Sequence, residues 1–157
     1  MSTKDKINKV ILWTSFIIYF LLVLYVTLFG SRASGFNFRM VNLIPFKTIK
    51  LYLKWLFDNN RANNYIPIVN LGVNFILLMP MGYYLPEVFR IFKNFFLYTA
   101  VCALFVGFIE LIQYFTLRGS FDVDDFILNM MGALIGYVLW AVFYVIRKRK
   151  TQESESD

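Results

Sequence analysis

The stretch FILNMMGALIGYVLWAVFYVI, residues 126–146, contains no charged side chain and ends at a basic run, Arg147 to Lys150. A helix needs roughly 20 apolar residues to cross the hydrocarbon core of a bilayer, so this stretch is long enough to span a membrane. The chain of 157 residues is 59% hydrophobic and only 17% charged, which excludes an ordinary water-soluble domain. Three further long stretches are residues 10–31 and 62–86, which also lack charge, and residues 94–117, which are interrupted only by Glu110.

These four stretches predict an all-α fold, a polytopic membrane bundle of four transmembrane helices. Backbone polar groups must be satisfied within any segment that crosses hydrocarbon, and a long apolar run satisfies them as a helix. Pro67 suits the first turn of the second span, and Pro80 should bend that span. The predicted membrane domain is residues 10–146, with spans at about 10–31, 66–86, 94–117 and 125–146.

Between the first and second spans, residues 46–58 predict an amphipathic helix that lies in the membrane interface. Lys47, Lys50 and Lys54 recur at helical spacing. Such a helix keeps its cations at the level of the headgroups and its apolar face at the acyl boundary. The apolar residues on the other side of the same turns are Ile49, Leu53, Leu56 and Phe57.

The distribution of basic residues predicts the orientation of the bundle. Four spans place both ends of the chain on one side, and that side carries the larger share of the 16 Lys and Arg residues. The positive-inside rule therefore predicts that residues 1–9 and the polar tail 147–157 are cytoplasmic. Because the basic residues flank the spans, as membrane topology requires, nucleic-acid binding is not predicted.

The chain has no histidine and one cysteine, Cys102, which lies in the middle of the third stretch. The lack of histidine excludes Ser-His and Cys-His nucleophilic pairs and zinc sites with imidazole ligands. A single cysteine provides no disulfide framework. Carboxylates, amides, Arg and Tyr remain as candidate functional groups, and no cofactor is predicted.

Polar side chains gather near the end of the bundle opposite the chain termini. Glu110 lies inside the third span, where an ionised acid costs about 2.5–3.5 kcal/mol, so it should be protonated, paired or facing a wet cavity. It could serve a ligand or only form a helix–helix hydrogen bond. The convergence of polar residues from three spans at one depth predicts a binding site. The candidate residues are Arg39, Asn42, Asn70, Asn74, Glu110, Gln113, Arg118, Asp122, Asp125 and Asn129.

The start of the fourth span also has a purely structural explanation. Asp122 and Asp125 could cap the helix, since acids there satisfy free amides and suit the helix dipole. Gly132 and Gly136 form a small-x-x-x-small pattern, which close helix packing alone explains. Asp124 falls off the polar stripe of this helix, and we expect it to be a solvated acid. The whole set could equally form a buried ion-pair network.

Three blocks of the sequence resemble the VanZ-like membrane proteins of bacteria, mostly Gram-positive ones. The first block is RMVNLIPF at residues 39–46, the second runs from Asn70 to Gly82, and the third runs from Glu110 to Gly136. They occur in the expected order, and Met79 stands where an aromatic residue is more usual. The resemblance implies a cell-membrane protein that lowers susceptibility to lipid-tailed glycopeptide antibiotics of the teicoplanin type, with no established reaction.

Two functional hypotheses follow, and the pattern favours binding over catalysis. In the first, an outward-facing polar pocket binds membrane lipid, namely a glycolipid headgroup or a lipid-linked cell-wall precursor, whose phosphate Arg39 and Arg118 would take. The alternative is an intramembrane hydrolase, in which Glu110 shares a proton with Asp122 or Asp125 and activates water. The bundle looks superficially like the lipoprotein signal peptidases, but their motif contexts are missing. A metal site built from Glu110 and the aspartates of residues 122–125 is disfavoured, because hard-cation loops usually add carbonyl ligands.

Overall fold

The structure, a computed structural model, describes residues 3–29, 41–57, 65–117 and 119–156. Within these ranges, four helical segments are long and apolar enough to cross a membrane, namely Thr3–Leu28, Ile68–Val88, Phe95–Phe115 and Val123–Lys150. They confirm the predicted all-α bundle. In chain order the elements are α1 (Thr3–Phe29), β1 (Val41–Asn42), α2 (Lys47–Phe57), α3 (Tyr65–Ile76), α4 (Met81–Val88), a short 3-10 helix (Arg90–Lys93), α5 (Phe95–Phe115), β2 (Phe121–Asp122) and α6 (Val123–Ser156).

The outer surfaces of the long helices are apolar. Leu21 on α1, Leu104 on α5 and Val138 on α6 leave 58%, 74% and 56% of their surfaces exposed. Contiguous apolar exposure of this extent is rare on a protein dissolved in water. The helices therefore present the kind of surface that lipid covers.

Helix α5 turns one face towards the interior and is tied there to α6. It begins at Asn94, whose Oδ1 accepts a hydrogen bond from the backbone amide three residues on, at 3.0 Å. Tyr98, Cys102 and Val106 recur at steps of four residues, and all three are buried. The Tyr98 hydroxyl donates to the Ala133 carbonyl of α6 at 2.8 Å, so its polar end is satisfied in an apolar interior.

The second span is divided into α3 and α4 by a short turn. Pro80 has no N–H to give to the Ile76 carbonyl, which instead accepts from the Met79 amide at 3.1 Å. The Tyr19 hydroxyl of α1 donates to the Leu77 carbonyl at 2.8 Å. Pro80 thus accompanies a break between two helices rather than a bend in one. A neighbouring helix supplies a hydrogen bond that hydrocarbon could not.

Gly132 and Gly136 allow α6 to touch the backbone of this divided span. A Cβ atom at Gly132 would lie 1.9 Å from the Phe75 carbonyl oxygen, and one at Gly136 would lie 1.9 Å from the Met79 oxygen. Cβ atoms do not approach backbone oxygens so closely, so any side chain here would force the helices apart. The predicted small-x-x-x-small contact is confirmed.

Glu87 joins α4 to α6 near the other end of the bundle. Its Oε1 accepts hydrogen bonds from Trp140 Nε1 at 2.9 Å and from the Arg147 guanidinium at 2.5 Å. The Lys93 ammonium lies 4.3 Å from the centre of the Tyr144 ring. This end therefore has charged contacts of its own, at the opposite end of the α6 span from the candidate residues.

Gly136→Ala should lower the free energy of unfolding by about 1–3 kcal/mol, the usual range for overpacking, because the added Cβ would clash with the Met79 backbone. The measurement is the midpoint of thermal unfolding in detergent. Gly72→Ala is the matched control, since a Cβ there meets nothing within 4 Å. Equal midpoints for the two variants would contradict the packing described for α6.

Candidate functional site

The segment before α2 is attached to the start of α6 by a short parallel strand pair. Asn42 pairs with Asp122 in the register of β1 and β2. Asn42 Nδ2 donates to Asp122 Oδ1 at 2.9 Å, and the Thr48 hydroxyl donates to Asp122 Oδ2 at 2.7 Å. The sequence does not predict this strand pair, because each strand is only two residues long. It brings the predicted residues Asn42 and Asp122 together.

Asp124 is not the solvated acid that we expected, because its side chain is 0% exposed. Its Oδ1 accepts a hydrogen bond from the Phe46 amide at 2.5 Å, and its Oδ2 accepts from the amides of Thr48 and Ile49 at 2.7 and 3.1 Å. These amides lie at the N-terminal end of α2, where a helix has no partners of its own for them. The spacing of polar residues within α6 could not predict this role, because the hydrogen-bond partners of Asp124 lie at the start of α2 and not on α6.

Asp122 has the capping role that the sequence offered as one of two explanations. It precedes α6, and its Oδ1 accepts from the Asp124 amide at 2.9 Å in addition to the Asn42 contact. The Thr48 hydroxyl occupies the second oxygen. Both carboxylate oxygens therefore already accept hydrogen bonds from the protein. These hydrogen bonds fix the Asp122 carboxylate between the segment before α2 and the start of α6.

Asp125 faces the second span instead of its own helix end. Asn74 Nδ2 donates to Asp125 Oδ1, and the same amide group lies 3.4 Å from Asn70 Oδ1. Asn129 Nδ2 donates to the backbone carbonyl of Asp125 at 2.9 Å. The side chains of Asn74, Asp125 and Asn129 are all buried, so these contacts are made away from bulk solvent. The predicted grouping of amides and acids from the second and fourth spans is thus present.

Glu110 and Gln113 project from α5 one turn apart, and both are buried. Glu110 Oε2 accepts from the Asp122 amide at 3.2 Å, which links α5 to the start of α6. Gln113 Nε2 donates to the Thr27 carbonyl of α1 at 2.7 Å. In the described part of the chain, Gln113 Oε1 is a buried acceptor with no hydrogen-bond partner. A water or a ligand with a donor group would satisfy it.

The structure therefore brings together most of the predicted residues and adds two. Thr48 and Asp124 were not among the candidates, although a Thr next to the start of α2 and an acid beside Asp122 were both visible in the sequence. Arg39 and Arg118 lie outside the described residues. We use the name polar cluster for Asn42, Thr48, Asn70, Asn74, Glu110, Gln113, Asp122, Asp124, Asp125 and Asn129.

The polar cluster belongs to a region that matches a known family. Residues 16–144 match the VanZ/LLP1 family. The chain belongs to this family. The resemblance of the three sequence blocks to VanZ-like membrane proteins is thereby confirmed, and the whole polar cluster falls within the matched range. No curated protein and no solved structure matches the chain.

In the described part of this VanZ/LLP1 chain, Asp122 and Asp124 accept hydrogen bonds from neutral donors. Among the residues that the structure describes, no group of three or more His, Cys, Asp or Glu side chains is arranged to hold a metal ion. Apart from the Asp124 amide, the amides and the hydroxyl that donate to Asp122 and Asp124 in the described chain belong to residues 42–49. This arrangement fixes the segment 41–57 to the bundle. The members of the polar cluster whose side chains lie among the spans are Glu110, Gln113 and Asp125.

Asp124→Asn should loosen the start of α2, because an NH2 group would replace one of the acceptor oxygens that face backbone amides. Loss of a hydrogen bond to a charged group costs roughly 1.5–3 kcal/mol, so amide exchange at Thr48 and Ile49 should accelerate about tenfold to a hundredfold. Hydrogen exchange followed by mass spectrometry of a peptide covering residues 46–57 measures this. Asp5→Asn, at an exposed position of α1, is the control. Unchanged exchange in Asp124→Asn would show that the carboxylate does not hold α2.

Proposed function

We propose that the protein acts in the bacterial cell envelope, where it lowers susceptibility to teicoplanin-type glycopeptides. It does so by binding or altering a surface lipid or a lipid-linked cell-wall precursor at the polar cluster. Membership of the VanZ/LLP1 family supports the assignment to VanZ-like membrane proteins. The antibiotic and the lipid come from the resemblance to VanZ-like proteins, and they are the part that experiments must test.

The observation that carries this proposal is the burial of four acids from two spans at one end of the bundle. Glu110, Asp122, Asp124 and Asp125 are between 0% and 5% exposed. Buried acids inside spans are expensive and usually serve a function. Two of these acids hold α2, which is a structural use. The functional hypothesis therefore rests on Glu110 and Asp125.

The ligand that suits this site has hydrogen-bond donors next to a phosphate. Among the described residues Gln113 Oε1 is a buried acceptor without a partner, and Glu110 lies one turn away on the same face. Hydroxyl or ammonium groups of a headgroup would donate to these oxygens. In this proposal Arg39 and Arg118, which the first and third sequence blocks contain, take the phosphate. A glycolipid or a lipid-linked sugar precursor carries both kinds of group.

The proposal requires the polar cluster to face outwards, with both termini in the cytoplasm. A Gly119→Cys variant in a Cys102→Ser background tests this, because residue 119 lies beside the start of α6. In intact cells an impermeant maleimide should label it. Gln152→Cys, an exposed position at the far end of α6, should react only after lysis. The reverse pattern would place the polar cluster in the cytoplasm and end the proposal.

Glu110→Gln, Asp125→Asn and Arg118→Ala should each remove most of the teicoplanin tolerance that the wild-type protein confers on cells. Each change removes a charge from the proposed site while keeping or reducing side-chain volume. The measurements are the inhibitory concentration of teicoplanin and the surface labelling by a fluorescent derivative of the drug. Glu87→Gln is the matched control, because it removes an acid at the opposite end that pairs with Arg147.

The comparison needs equal amounts of folded protein, so membrane abundance and thermal unfolding in detergent are measured for each variant. Glu87→Gln should behave as wild type in susceptibility. If all three variants of the polar cluster retained wild-type tolerance at equal abundance, the site would have no part in the function.

A further inference from the structure

Helix α2 presents two different surfaces. Thr48, Tyr52 and Trp55 are partly buried and face the bundle, which α2 contacts through α3 and α6. The opposite side has Lys47, Lys50 and Lys54, all exposed. At 100° per residue these three lysines lie within one quadrant of the helix, so they form a row. We call them the lysine row.

Apolar side chains border the lysine row and are not covered by the bundle. Leu53 and Phe57 are 42% and 83% exposed, and their positions on the helix lie next to Lys50. The segment that leads into α2 continues this surface, with Leu43 and Ile44 at 65% and 62% exposure. A cationic row beside uncovered leucine and phenylalanine is the pattern of a helix at a lipid headgroup boundary.

The charge of the lysine row is not balanced by the part of the chain that the structure describes. None of Lys47, Lys50 and Lys54 has a carboxylate within ion-pair distance there. The acids closest to the start of α2 are Asp122 and Asp124, and their oxygens accept hydrogen bonds from Asn42, from Thr48 and from backbone amides. The exposed lysine row can therefore contact an anionic partner without breaking an ion pair in the described part of the chain.

We propose that the lysine row is a binding site for anionic phospholipid headgroups. Lys47, Lys50 and Lys54 contact the phosphates, while Leu53 and Phe57 enter the upper acyl region. Lysine stems are long enough to reach headgroups from an apolar surface. Each engaged lysine favours an anionic lipid over a zwitterionic one by roughly fivefold. This site is separate from the polar cluster, and it stands whether or not that cluster binds a precursor.

The test places one fluorescent reporter at the proposed lipid contact. Trp13, Trp55 and Trp140 are the three tryptophans of the chain, and each is replaced by Phe. Phe57→Trp then puts an indole at the most exposed apolar position of α2. The full-length protein is reconstituted in phosphatidylcholine vesicles with increasing fractions of either brominated phosphatidylglycerol or brominated phosphatidylcholine. Bromine quenches indole fluorescence only at close contact, so the titration reports the relative association of each lipid.

Phosphatidylglycerol should quench at lower mole fraction than phosphatidylcholine, with an association constant at least about fivefold higher, and 0.5 M NaCl should reduce the difference. Replacing Lys47, Lys50 and Lys54 by Gln should remove the difference between the two lipids. The matched control replaces Lys148, Arg149 and Lys150 by Gln, which takes the same charge from the exposed end of α6 and should leave the preference intact.

Equal quenching by the two lipids in the lysine-containing protein would overturn the proposal, whatever the variants do. So would a preference that survives both the lysine replacements and 0.5 M NaCl. Circular dichroism and the unfolding midpoint establish that the triple lysine variant is folded. If it is not folded, Lys50→Gln alone takes its place, and its preference for phosphatidylglycerol should fall about fivefold. Failure of the teicoplanin experiment would leave these outcomes unchanged, since it changes Glu110, Asp125 and Arg118, none of which belongs to the lysine row.

Discussion

The Asp124 carboxylate is the group on which the polar end of the bundle depends. Its two oxygens accept hydrogen bonds from backbone amides at the start of α2, while its own amide donates to Asp122 at the start of α6. The N-termini of two helices therefore converge on neighbouring acids. Each N-terminus carries a partial positive charge of about half a unit, which attracts the oxygens of the acids placed beside it. Without the Asp124 carboxylate, the amides of Phe46, Thr48 and Ile49 would lose these acceptors.

The membrane-spanning part of this arrangement is predictable from sequence, and the contact of Asp124 is not. Long apolar runs give the number of helices, and the spacing of Gly132 and Gly136 correctly predicts close packing of the fourth span. Those features depend on side chains within one helix. Asp124 binds backbone amides more than 70 residues earlier in the chain, and a backbone amide has no sequence signature. The same limit applies to the pairing of β1 with β2, since two residues carry no periodicity.

The contact between Asn74 and Asp125 depends on the glycines of α6. Asn74 directly precedes Phe75, whose carbonyl lies where a Cβ of Gly132 would be. Asp125 is two turns before Gly132 on the same helix, so this backbone contact fixes the distance between the two spans at the level of the Asn74 amide. The division of the second span at Pro80 leaves the Met79 carbonyl in the matching place against Gly136. Helix packing therefore sets the geometry of a polar contact that the sequence shows only as two separate residues.

The polar cluster divides into a holding part and a part that faces the spans. Asp122 and Asp124 use their oxygens to hold α2, and the amide of Asp122 in turn donates to Glu110 at 3.2 Å. Any movement of α2 that disturbed Asp122 would reach Glu110 through that single hydrogen bond. Because α2 also carries the lysine row, the lipid surface and the buried acid are connected by a short chain of contacts through Thr48 and Asp122. Thr48 and Asp122 thus connect α2 to the same α5 face that presents Gln113 Oε1, a buried acceptor without a partner among the described residues.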